Sequence, residues 1–100
     1  MTTDNKLMLK DLYQEILSLE TKEDCENFFN DLCTIKELQS MSQRLQAAKM
    51  LLAGKTYNEV IEQTDISSAT LARVSKCVRY GAGGYQKLTK NTPAQFHENK

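Results

Sequence analysis

Apolar residues along the chain return at intervals of three and four rather than two. Leu9, Leu12, Tyr13, Ile16 and Leu17 form one such stripe, and Cys25, Phe28, Phe29 and Leu32 a second. A third and longer one runs through Ile35, Leu38, Met41, Leu45, Ala48 and Leu52. Val60 and Ile61 mark a short fourth segment, and Leu71, Val74 and Val78 a fifth. No stretch sustains strand alternation, and the only proline is Pro93. The pattern predicts an all-α chain with helices at about 4–19, 22–33, 35–53, 57–64 and 68–80, and a short helical turn at about 85–88.

Capping residues stand where these helices begin. In a capping box a hydroxyl bonds a free amide at the helix start and an acid three residues on bonds back. Thr34 with Glu37 and Thr56 with Glu59 fit this pattern, Thr21 with Asp24 fits it less fully, and Ser67 or Ser68 can cap the fifth helix. Gly54 and Gly81 supply helix stops.

The apolar stripes of the first two helices are wider than one short neighbouring helix can cover. This suggests an extensive dimer interface, with ordinary packing inside one chain as the alternative. Cys25, Phe28, Phe29 and Leu32 read as core rather than as a ligand site. At 100 residues the chain suits one small domain, predicted over 1–90. Dimerisation helices fall at about 4–53, a helix-turn-helix at about 56–80, and a flexible polar tail at 91–100. No apolar run approaches the length of a membrane span, and MTTDNKLMLK lacks the apolar core of a signal peptide, which points to the cytoplasm. Three cysteines without a C-x-x-C, and a single histidine at His97, argue against a disulfide scaffold or a zinc site. No serine or cysteine has a histidine partner in an ordered segment, and no enzyme chemistry is visible. Gly81-Ala82-Gly83-Gly84 follows no strand and reads as a helix stop rather than a phosphate loop.

The zero net charge conceals an asymmetry. Residues 1–40 carry four lysines against nine acids, whereas residues 41–90 carry eight bases against Glu59, Glu62 and Asp65. From Ser67 to Lys90 there are five bases and no acid. Such a stretch creates a local positive field, whether as a solvated face or as a surface for an anionic partner.

The field falls on a recognisable spacing. TYNEVIEQTDISSATLARVSKCVR combines a helix of about eight residues, a three-residue turn and a second helix, as in a helix-turn-helix. Ile66 plugs the angle, and Val60, Leu71 and Val74 fill the space between the helices. Ser67, Ser68, Ala69, Thr70, Ala72, Arg73, Lys76 and Arg79 remain as the outward set. Small residues at the start of the helix allow close approach to base edges. Thr70 and Ala69 offer methyl contacts to thymine, and Arg73 suits guanine or a phosphate. Lys76 and Arg79 suit phosphates, as do the free amides at the helix start. The competing reading is a helical hairpin with a basic solvent face, in a dimeric interaction module that never reads DNA. Asp65 stands at a turn position where glycine is usual.

Thr34 through Arg79, preceded by two apolar helices, resembles the Trp repressor superfamily, and within it the little-characterised YerC/YecD group. The marks are Gln43-Arg44-Leu45, then Leu51-Leu52-Ala53-Gly54-Lys55-Thr56, then Ser68-Ala69-Thr70-Leu71-Ala72-Arg73. The resemblance implies an all-α, intertwined homodimer with two reading heads about one DNA turn, roughly 34 Å, apart. It also implies an effector pocket at Arg44 and Arg73, completed by Thr34 from the other subunit, where repressors of this family hold L-tryptophan between two arginines. Val74 stands where those repressors have a glycine that leaves room for the ligand, and Cys77 where they have a serine that helps hold its amino group. L-tryptophan is therefore not expected as an effector, and an ion pair between Arg44 and an acid on a neighbouring helix is expected instead. Glu59 and Glu62 replace bases that the family carries on the first helix of the motif.

Overall fold

In the computed structural model, which describes residues 4–89, six helices follow one another. They are α1 (Asn5–Leu17), α2 (Lys22–Leu32), α3 (Ile35–Leu52), α4 (Tyr57–Thr64), α5 (Ser68–Tyr80) and α6 (Gly84–Thr89). Among the described residues there is no strand. The tail at 91–100 lies outside the described residues. The chain divides into two compact units, the first ending at Leu38 and the second beginning at Gln39, so α3 contributes to both.

The helix boundaries follow from their caps. Asp4 is not the first residue of α1 but its cap, its carboxylate accepting the Lys6 amide at 3.0 Å. At the other end the Ser18 hydroxyl donates to the Glu15 carbonyl, and α1 stops two residues short of the predicted Leu19. The Thr21 hydroxyl accepts the Asp24 amide at 2.9 Å, while the Asp24 carboxylate accepts from Glu20 rather than Thr21, so this box is only half closed. Thr34 and Glu37 close theirs in both directions, at 2.7 and 3.0 Å. The far end of α3 closes as a Schellman motif: the Lys55 amide donates to the Met50 carbonyl and the Gly54 amide to that of Leu51. Gly54 sits at φ +91°, a conformation that favours a residue without a Cβ.

In the first unit no residue of α1 or α2 is buried. Phe28 and Phe29 meet edge to face at 5.3 Å between ring centres and are half-buried, whereas Cys25 and Leu32 are exposed. The core predicted at these four positions is thus not closed within the chain. Leu9, Tyr13 and Leu17 also face solvent.

The second unit holds the core. Ala47, Ala48 and Met50 of α3 pack with Val60 of α4, Ile66 of the turn, and Leu71 and Val74 of α5. Full burial of each larger side chain contributes about 1.5–3 kcal/mol. The buried face of α3 differs from the predicted stripe. Ala48 is shared, but Ile35, Met41, Leu45 and Leu52 remain exposed, and Ala47 and Met50 take the inward positions. Large side chains define the stripe, but the face that packs on the motif is the adjacent one, where Met50 and two alanines meet Val60, Ile66, Leu71 and Val74.

Candidate nucleic-acid interface

Local sequence builds the motif from its ends. Thr56 and Glu59 form a complete capping box that starts α4. Bonding of its carboxylate to the Thr56 backbone, then to the Thr56 side chain, with a contribution from Lys55, holds Glu59 below its ordinary pKa of 4.5. Asp65 ends α4 in the left-handed region, at φ 64° and ψ 18°. The residue that departs from the usual glycine adopts the backbone geometry a glycine would have, as a short polar side chain permits.

The turn is tied by one threonine. The Thr64 hydroxyl donates to the Val60 carbonyl at 2.7 Å and accepts the Ile66 amide at 3.2 Å. The Thr64 carbonyl accepts the side-chain amide of Gln43, on α3, at 2.9 Å. Ile66 plugs the angle as expected, with 2% of its surface exposed. The Ser67 hydroxyl then caps α5, accepting the Thr70 amide at 3.1 Å and donating to the Thr70 hydroxyl at 2.9 Å.

α5 separates its two faces cleanly. Leu71, Val74 and Ser75 are buried, and Val78 is half-buried. Ser67, Ser68, Ala69, Ala72, Arg73, Lys76 and Arg79 are all exposed, as the sequence predicts. Thr70 differs: it is half-buried, its hydroxyl engaged by Ser67. Among the described residues Arg73, Lys76 and Arg79 form no ion pair with an acid. The acids of α4, Glu59 and Glu62, are exposed on the neighbouring helix.

Behind α5 lies a cleft of about 310 Å³, lined by Ser40, Arg44, Thr70, Arg73, Val74, Cys77 and Tyr85. It brings together Arg44 and Arg73 of the predicted effector pocket. Thr34, expected from the other subunit, belongs to the first unit, where its hydroxyl and amide form the box with Glu37. The ion pair expected of Arg44 is absent among the described residues. Its guanidinium donates instead to the Ser40 hydroxyl one turn back, at 2.7 Å, because Ser40 shares its face of α3. Val74 both lines this cleft and belongs to the core, with 2% of its surface exposed.

α6 is held against α5 by the Gln86 side-chain amide, which donates to the Val78 carbonyl at 2.6 Å. Gly81 ends α5 in extended backbone, where an added Cβ would collide with the Cys77 carbonyl. No group of three or more possible metal ligands clusters among the described residues. No helix among them is long and apolar enough to cross a membrane.

Sequence reasoning does not assign these roles to Gln43 and Thr64. The spacing of Gln43, Ala47 and Met50, at i, i+4 and i+7, is the signal that places the glutamine on the inward face.

An all-α chain with a capped helix-turn-helix and an unpaired basic second helix is the architecture of a DNA-binding regulator. The chain belongs to the Trp repressor protein family, whose model matches residues 8–92. It is 47% identical over 78 residues to the uncharacterised protein YerC of Bacillus subtilis (strain 168), covering 78% of this chain and 75% of that one. Its fold is similar to that of a TrpR-like protein from Eubacterium eligens ATCC 27750, with a TM-score of 0.82 and 41% identity over 88% of this chain and 94% of that one. A Staphylococcus aureus protein provisionally named as a Trp repressor is also similar, with a TM-score of 0.81 and 39% identity over 91% of this chain and 94% of that one. The family is one of regulators rather than enzymes.

Proposed function

We propose that the protein is a sequence-specific DNA-binding transcriptional regulator that acts in the cytoplasm as a homodimer and reads DNA with α5. The observation that carries this reading is the outward face of α5, where Arg73, Lys76 and Arg79 stand exposed without an acidic partner beside small residues at the helix start. Unpaired charge alone also suits a solvated face; the small residues at the start of the same helix, which allow close approach to base edges, favour DNA. Homodimerisation is supported by the apolar side chains that one chain leaves open, among them Leu17 and Ile35, 77% and 71% exposed. Ser67, Ser68, Ala69 and Ala72 lie toward the bases in this arrangement, with the half-buried Thr70 presenting only its edge, and Arg73, Lys76 and Arg79 lie toward guanine and the phosphates.

L-tryptophan is not the effector we propose for it. The side chain of Val74 occupies a wall of the cleft between Arg44 and Arg73, and Cys77 offers a weaker hydrogen-bond partner than a serine. Selection of bound sequences from random DNA at physiological salt tests the reading. Enrichment of a palindromic site with half-sites one helical turn apart is the expected result, and no enrichment of any sequence would refute it.

A further inference from the structure

The core of the second unit fixes how closely α3 and the motif pack, but apolar contact is non-directional and does not fix their register. A hydrogen bond is directional. Among the described residues, one side-chain bond crosses from α3 to the motif: Gln43 Nε2 donates to the Thr64 carbonyl at 2.9 Å, across 21 positions of sequence. That carbonyl belongs to the last turn of α4 and has no acceptor role within the helix. From Thr64 the tie passes through its hydroxyl to the Ile66 amide, one residue before Ser67, the cap of α5.

We propose that Gln43 is a positioning residue for DNA reading, setting where the first turn of α5 begins relative to α3. This rests on the DNA-binding function proposed for α5. Gln43 touches no base in this role; it acts through Thr64. Its inward direction follows from sharing a face of α3 with Ala47 and Met50, both buried in the motif's core. Base recognition at the start of α5 depends on close placement. Lys76 and Arg79 reach phosphates with long side chains that follow a small shift. Loss of the Gln43 bond therefore weakens specific binding and spares non-specific binding.

The test compares Gln43→Met with the wild-type chain on a selected site and on a scrambled duplex, at a temperature where circular dichroism shows both folded. The ratio of specific to non-specific affinity is expected to fall about tenfold, the equivalent of about 1.4 kcal/mol, with an unchanged salt slope. Gln43→Lys, whose ammonium also donates, is expected to restore the ratio; its added charge acts on both duplexes and cancels. Should Gln43→Met fail to fold, Gln43→Glu keeps the volume while removing the donor and takes its place. An unchanged ratio in the donor-free variant, with wild type binding its site, overturns the positioning role alone. A wild-type chain that prefers no duplex overturns the DNA-binding function and this role with it.

Discussion

Glu59 and Thr56 cap one another. The Glu59 carboxylate accepts the Thr56 amide at 2.8 Å, and the Thr56 hydroxyl accepts the Glu59 amide at 3.2 Å. The bond lowers the folded pKa of Glu59 below 4.5. A depressed acid stabilises the fold above its unfolded pKa and loses that contribution as pH falls through the folded value. Glu59→Gln is expected to melt below wild type near neutrality, with the gap closing as pH drops below about 4.5. Thermal melts of both chains across that window check it. Thr56→Ala is expected to cost about 1 kcal/mol by denaturant titration near neutrality, with a smaller dependence on pH than Glu59→Gln because the Thr56 backbone bond remains.

Lys76→Ala or Arg79→Ala is expected to weaken binding to all DNA sequences alike. The slope of log affinity against log salt should become shallower by about 1 for each phosphate no longer neutralised, or about 2 per symmetric dimer. Thr70→Ala is expected to change preference at one base step per half-site by about 1–3 kcal/mol and leave the salt slope nearly unchanged. Titrations of anisotropy at several salt concentrations separate the two, and the reverse pattern would mean that α5 docks the other way round.

Asp65 holds a left-handed backbone that β-branched residues resist. Asp65→Val is expected to destabilise the chain by about 1–3 kcal/mol. Asp65→Gly is expected to remain within about 1 kcal/mol of wild type, relief of strain offsetting a freer unfolded chain. Urea titration of the three chains decides; a valine tolerated as well as the glycine would count against any strain at this turn.

Dimerisation predicts a melting temperature that rises with protein concentration. Leu17→Lys is expected to lower the association constant in sedimentation equilibrium without unfolding the motif, since Leu17 belongs to the first unit and is absent from the core of the second. A wild-type monomer at micromolar concentration, melting independently of concentration, would refute it.

L-tryptophan is expected to give no calorimetric signal at ligand concentrations up to about 1 mM, a bound corresponding to about −4 kcal/mol. Val74→Gly is expected to lose stability, about 1 kcal/mol of it from helix propensity alone. Tight binding of L-tryptophan by the wild-type chain would show that Val74 does not close the site.

Local signals carry far in this chain. α4 and α5 have the predicted boundaries because each begins at a hydroxyl cap, and such caps are written in adjacent residues. Periodicity places Leu71 and Val74 inward for the same local reason. It fails on α3, where two apolar faces compete and the bulkier one stays exposed within a single chain. The partner of Arg44 departs from expectation because charge alone suggests an acid, whereas the nearest acceptor one turn away is Ser40. Gln43 is not legible in the same way because its bond spans 21 positions, and no local pattern announces a partner so distant.

Val74 stands in a wall with two sides, one facing the core and one facing the cleft. The same few methyl groups therefore decide two different things. Removing them opens room for a guest and loosens the house; keeping them commits the space to the protein itself. At this one position, room beside the two arginines and the stability of the reading head are set against each other, and no substitution changes one alone.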